Sequence, residues 1–209
     1  MNDIVDSQDS LGRQPGLRER KKRLAQATIE ETALRLFQQR GYEQTSIQDI
    51  ADAVMMSPRT FFRYFASKEE LLFAPTQTIL EEGASYLRHV AAAKSAPGAL
   101  IETLEHLAGL YQQQKAGFLL RYHIATVTPS LIPGYLYSLA VTEPAFCEAL
   151  AARTGSEAGQ DYLRFLVAVS MAAFRAALTV WFEHDASTDL VSLLREHLAY
   201  FSSLAREVS

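Results

Sequence analysis

The sequence predicts an all-α protein: a three-helix amino-terminal unit followed by a larger helical one. Three observations predict it. Apolar residues recur at three- and four-residue spacing through most of the 209 positions. No stretch alternates apolar with polar residues as a half-buried strand does. Helix-breaking groups fall at Gly41, Ala96-Pro97-Gly98, Pro129 to Pro133-Gly134, Thr154-Gly155 and Asp185 to Asp189, and no internal repeat is visible. Residues 1–16, rich in Ser, Asp, Gln, Gly and Pro, read as a disordered tail. Residues 17–66 form the small unit and 67–209 the large one.

The elements follow in order. A basic run, Arg18 to Arg23, leads into a helix whose stripe is Ile29, Ala33, Leu36 and Phe37, and Gly41 can stop it. Thr45 and Ser46 are capping residues, with Asp49 where a capping box carries Glu or Gln. Ile47, Ile50, Ala51 and Val54 make a short second stripe. A turn at Met55–Met56 precedes Ser57-Pro58, an N-cap with proline at the first helical position. The third helix should then reach about Phe65, with Phe61 and Phe65 inward. Ser67 can cap a fourth helix. Further segments are expected at 68–93, 97–114, 117–127, 134–152, 157–184 and 187–206, with Pro75 kinking the fourth helix or delaying its regular start.

Composition narrows the class. The chain is 48% hydrophobic and 21% charged, so it can fold around a core without staples. A single cysteine, Cys147, allows no intrachain disulfide and fits a reducing cytoplasm. The acidic, polar start MNDIVDSQDS is not a secretory signal. Phe165 to Phe182 is almost wholly apolar, but Arg175 inside it favours a helix buried in protein over a membrane span. Net charge is −4 and uneven: Leu11–Lys68 carries +5 and Glu69 onward −6. A polyanionic partner would therefore meet the first third.

Ile47–Phe65 reads as a helix-turn-helix. Its second helix fits the DNA major groove and presents Pro58, Arg59, Thr60, Phe62, Arg63 and Tyr64. Arginine can pair bidentately with guanine, and an apolar ring can meet a thymine methyl. Thr60, Tyr64 and Lys68 suit phosphate.

These residues closely resemble the tetracycline-repressor (TetR) family of bacterial regulators. The matching positions are Gly41-Tyr42, Thr45-Ser46-Ile47, Asp49-Ile50-Ala51, Ser57 through Phe65, and Ser67-Lys68-Glu69-Glu70-Leu71. The resemblance implies that Arg59, Pro58 and Phe62 touch bases, and that Ser46, Thr60, Arg63, Tyr64 and Lys68 hold the DNA backbone. Gln48 stands where some relatives add a base contact. It also implies a repressor that acts as a homodimer on a pseudo-palindromic operator and lets go when a small-molecule effector binds. Two positions depart from the family pattern. Met55 stands where glycine commonly forms the turn, so a left-handed residue there would cost about 1–2 kcal/mol and another geometry is open. Phe62 stands where tyrosine is frequent.

The second unit is expected to bind the effector and dimerise. The helix at 157–184 is apolar almost all round, so one face needs a second surface, most economically an identical subunit. Ala168, Ala172, Ala173, Ala176 and Ala177 would admit a partner helix closely, and Leu190, Leu194, Leu198 and Phe201 of the last helix would join them. Candidate effector-lining residues are Tyr111, Phe118, Arg121, Tyr122, His123, Phe174, Arg175 and Trp181. The two arginines need partners, either an acidic ligand group or Glu102, Glu105 or Glu183. No cofactor, metal site or catalytic set is expected. The sequence has no Gly-x-Ser-x-Gly elbow, phosphate-cradling Gly-Lys loop or His-Glu-x-x-His pair. A helical ligand-binding protein without DNA binding, or an all-α enzyme, are the alternatives.

Overall fold

A computed structural model describes residues 16–90, 94–134, 137, 141–154 and 159–207. Among them every regular element is helical. The expected tail lies outside these residues except for Gly16. The chain divides between Ala66 and Ser67 into two compact units.

In the first unit, α1 spans Leu17–Arg40, α2 Ile47–Ala53 and α3 Pro58–Phe61. The α1 stripe is buried as its spacing requires: Ile29, Ala33, Leu36 and Phe37 all face inward, with Leu34 beside them. Gly41 ends α1 with φ 90° and ψ 154°, a positive-φ backbone open to glycine, and its N–H returns to the Phe37 carbonyl. Tyr42 then folds back so that its ring lies 5.0 Å from that of Phe37. Ile50, Ala51, Phe61 and Phe65 complete this core.

The third helix is shorter than expected. It regularly covers Pro58–Phe61, after which Arg63 and Tyr64 donate to Thr60 and Phe61, three residues back. Phe65 nevertheless donates to the Phe61 carbonyl four residues back at 3.1 Å and is buried beside Phe61, their rings 5.9 Å apart.

The second unit contains α4 (Lys68–His89), α5 (Ala96–Gln113), α6 (Lys115–Thr126), a 3₁₀ turn (Pro129–Leu131), α7 (Glu143–Thr154), α8 (Gln160–Glu183) and α9 (Leu190–Glu207). Ser67 and Ser95 cap α4 and α5 through the N–H groups of Glu70 and Gly98. Asp189 caps α9 by accepting from the Ser192 N–H at 2.8 Å. Helix α5 is the pillar: it packs on α4, α6, α7, α8 and α9, and its Leu100, Leu104 and Leu107 are fully buried.

Two expectations change here. Helix α4 starts regularly at Lys68 and runs through Pro75, so the proline does not delay it. It does remove one donor, that of residue 75 to the Leu71 carbonyl. Within the segment expected at 134–152, residues 134 and 137 are helical, a turn interrupts at 141–142, and a further helix spans Glu143–Thr154. Ala145 donates to the Thr142 carbonyl, and Pro144 fits the first turn of a helix but not its interior.

Helix α8 is long and apolar enough to span a membrane by length and composition alone. In the structure one face of it closes the core: Leu163, Val167, Met171, Phe174, Leu178, Trp181 and Phe182 are buried. The other face is exposed, with Tyr162, Phe165, Ala168, Ala172 and Ala176 along it, whereas Ala173 is half-buried and Ala177 buried. Leu190 and Leu194 of α9 belong to the unit's own core, and Leu198 packs against it. These leucines therefore do not supply the outward face assigned to them from spacing. Phe201 lies outside the described side chains.

Candidate nucleic-acid interface and apolar cavity

The helix-turn-helix is fixed locally before any packing is considered. Ser46 Oγ accepts the Asp49 N–H at 3.1 Å, while Asp49 Oδ2 accepts the Ser46 N–H at 2.8 Å and the Ser46 hydroxyl. This is a full capping box, with aspartate in the role usually taken by Glu or Gln. The Ser46 bonds, with a smaller contribution from Arg40 3.9 Å away, hold the Asp49 carboxyl below its ordinary value. Across the turn, Met55 has φ 54°, so the left-handed geometry is kept without glycine. Met56 donates to the Ala51 carbonyl at 2.9 Å and Met55 to Asp52 at 3.1 Å, the paired bonds of a Schellman ending. The sequence left a different geometry open; these two bonds hold the usual one.

Ser57 then accepts the Thr60 N–H at 3.1 Å and shares a 2.9 Å hydroxyl contact with Thr60 Oγ1. With Phe61 buried beneath, α3 leaves Arg59, Phe62 and Arg63 exposed and Pro58, Thr60 and Tyr64 half-buried. Phe62 is 53% exposed and edge-on to Phe61. The Arg63 guanidinium lies 5.7 Å from the Tyr64 ring centroid, a cation–π arrangement. Arg63 and Tyr64 also border a surface groove whose opposite wall is the start of α1, with Arg18, Lys21 and Lys22. Gln48 is tied to Asp52 by a 2.7 Å bond on α2. Lys68, the ninth candidate, opens α4 in the second unit.

The second unit holds an apolar cavity of about 280 Å³ that is partly open to solvent. Of the eight candidate lining residues, Tyr111, Phe118, Arg121 and Tyr122 line it; His123, Phe174, Arg175 and Trp181 do not. Phe174 is core, edge-on to Tyr111 at 5.9 Å. Trp181 is fully buried and donates its indole N–H to the Thr188 carbonyl. His123 is exposed, its Nε2 3.9 Å from Asp185. Arg175 is half-buried outside the lining. Two suggested acidic partners are engaged elsewhere: Glu102 with Lys94 and Tyr86, and Glu105 with Arg195.

Sequence reasoning missed Leu72, Phe73 and Thr76 on α4, Ala125 and Thr126 on α6, Ile132, and Leu178 and Phe182 on α8. Each helix supplies residues four apart (Leu72/Thr76, Phe118/Tyr122, Leu178/Phe182), a spacing visible in the sequence but shared with every core stripe. On one wall Tyr122 stacks on Phe182 at 4.6 Å. Burial, with Glu183 adding to it, raises the Tyr122 hydroxyl pKa, so it stays a neutral donor.

Residues 29–74 match the model for bacterial regulatory proteins of the tetR family, and residues 95–205 match the MftR C-terminal domain. The transcriptional regulator TcmR of Streptomyces glaucescens is 35% identical over 186 residues, covering 86% of this chain and 82% of that protein. The regulator YuxN of Bacillus subtilis is 52% identical over 46 residues, covering 22% and 16%. Among solved structures, the Thermus thermophilus repressor FadR in complex with lauroyl-CoA aligns with a TM-score of 0.57 at 23% identity, covering 83% and 91%. A regulator from Aquifex aeolicus aligns at 0.54 and 18%, covering 86% and 98%. At those identities the two structures bear on the fold.

Proposed function

Because the chain belongs to the tetR family of bacterial regulatory proteins, we propose that it represses transcription as a homodimer on a pseudo-palindromic operator. A small molecule entering the apolar cavity would release it. The observation that carries the DNA half is the capped α3 with Phe61 buried and Arg59 and Phe62 in solvent. A helix anchored on one side leaves its other side to read base edges. In this reading Arg59, Pro58 and Phe62 meet bases. Ser46, Thr60, Arg63, Tyr64 and Lys68 hold phosphates, and Gln48 adds a base contact once released from Asp52. Ser46 and Thr60 already use their hydroxyls in caps, so their lone pairs and neighbouring N–H groups set what they offer DNA.

The exposed face of α8 supports the dimer. Phe165 is 58% exposed and Tyr162 51%, with Ala168, Ala172 and Ala176 continuing the stripe. Packing that stripe on a second copy would remove a large apolar surface from water and supply the second reading head. The cavity supports an effector site, with Tyr111, Phe118, Arg121 and Tyr122 in its wall. The fold it shares with FadR is one that can hold an acyl-CoA in that protein. Release would follow if the ligand favours a conformation that DNA disfavours. The role is regulatory rather than catalytic, and it belongs in the cytoplasm with the DNA.

The test is selection of bound duplexes from a random pool, followed by titration at several salt concentrations. A two-fold-symmetric consensus whose affinity falls with salt supports the proposal. Binding without sequence preference, or without salt dependence, overturns it.

A further inference from the structure

Helix α1 extends beyond the core that holds it. Side chains 17–24 are all exposed, and the first fully buried one is that of Ile29. About two turns of helix therefore stand clear of the packing. They carry Arg18, Arg20, Lys21, Lys22 and Arg23 against a single acid, Glu19, which pairs with Arg23 at 3.5 Å. For the helix itself this is a poor choice of charge. Cations near a helix start oppose its dipole, and Arg18 repels Lys21 and Lys22, three and four residues on. A local rule broken with no gain in packing points to a function.

The cations are also sorted by face. Arg18, Lys21 and Lys22 line the surface groove whose other wall is Arg63 and Tyr64, just past α3, whereas Arg20 and Arg23 lie outside its lining. The groove, of about 1090 Å³, thus gathers cations from two separate elements, with Glu19 as the acid in its lining.

We infer that this groove seats the sugar–phosphate backbone of DNA just outside each half-site, with α1 clamping from one side a strand that Arg63 and Tyr64 hold from the other. The inference rests on the operator-binding reading and adds to it a contact that reads no bases. Continuity and charge name the occupant. The far wall already belongs to the proposed DNA surface, and a duplex carries about one charge per 1.7 Å of axis, which suits cations spaced along a helix face.

The experiment uses the full-length protein and the operator selected above, cut in two lengths. One duplex ends at the outermost consensus pair, and the other extends about one helical turn further on each side in arbitrary sequence. Wild type is compared with two double variants that remove equal charge, Lys21→Ala/Lys22→Ala inside the groove and Arg20→Ala/Arg23→Ala outside it. Wild type should prefer the extended duplex. Lys21→Ala/Lys22→Ala should abolish that preference, weaken the extended duplex about tenfold or more at 0.1 M salt and flatten its log–log salt slope by about two. The selected consensus should not change, and Arg20→Ala/Arg23→Ala should stay near wild type. Urea midpoints of Lys21→Ala/Lys22→Ala should stay at or above wild type, since alanine suits a helix and relieves the repulsion. Equal flattening by both double variants shows a diffuse field rather than a seat and overturns the inference. So do an unchanged slope in Lys21→Ala/Lys22→Ala, equal wild-type affinity for the two duplexes, or a lowered midpoint that assigns the lysines to the fold. In those cases the operator reading stands. Failure of wild type to select any symmetric consensus overturns that reading and the inference with it.

Discussion

Single positions decide how the reading head is held. Met55 holds φ 54° while 94% exposed, so its side chain contributes almost no packing to set against the conformational cost. Met55→Gly should therefore raise stability by about 0.5–1 kcal/mol, the left-handed penalty less the added freedom of the unfolded chain. Urea denaturation measures it; a lower midpoint would contradict the argument. Asp49 gives a pH-dependent handle. Its folded pKa lies below its ordinary value because Ser46 donates to the carboxylate, so its contribution is complete above the unfolded pKa. It is lost as pH falls through the lowered folded value. NMR titration should find Asp49 returning toward the ordinary range in Ser46→Ala. At the DNA surface, Arg59→Ala should relax preference at one base step by about 1–3 kcal/mol. Lys68→Ala should weaken all sites alike and flatten the log–log salt slope by about one. At this scale the sequence was readable wherever a residue acts on its neighbours, as Ser46, Ser57 and Gly41 do. The turn at Met55 was half-readable: the strain followed from residue type, but the two backbone bonds that enforce it belong to the folded chain.

Among the elements, the starts of α2, α3 and α4 could be placed because each carries its cap and, for α3, a proline at the front. Ends that carry no such mark could not. α3 tightens after Phe61 with no breaker or capping residue to mark the change, and Phe61 and Phe65 keep the four-residue spacing of one face on either side of it. The cavity was opaque for the same reason. Phe174 and Trp181 lie on the same helical stripe as Leu178 and Phe182, and only the packing of α8 in the fold separates wall from core. That packing makes a sharp prediction at Gly83, buried on α4. A Cβ there would lie 2.8 Å from both Leu107 methyls and 3.0 Å from Phe146. Gly83→Ala should cost about 1–3 kcal/mol by overpacking, despite alanine's better helix propensity. Gly109→Ala on α5, with open space around it, is the control and should stabilise by up to about 1 kcal/mol. Both are read from denaturant midpoints, and opposite signs are the expected result.

For the molecule as a whole, the proposed operator binding depends on assembly. Ala172 sits exposed mid-way along α8, between Phe165 and Thr179. Ala172→Arg should shift sedimentation toward the 23.3 kDa monomer and weaken the palindromic operator more than a single half-site. A variant that stays dimeric would place the interface elsewhere. Sequence patterning anticipated that α8 has more apolar surface than one core can use. It misassigned part of α9, because Leu190 and Leu194 look the same whether they meet their own chain or another. Trp181 has a consequence of a different kind. It is the chain's one tryptophan, fully buried in the second unit and bonded to Thr188. Light absorbed selectively by indole therefore reports on that unit alone, while far-ultraviolet dichroism sums the helices of both. Recording the two signals along one melt shows whether the units unfold together or in sequence. The reading head can thus be followed by difference, with no label attached to the surface that meets DNA.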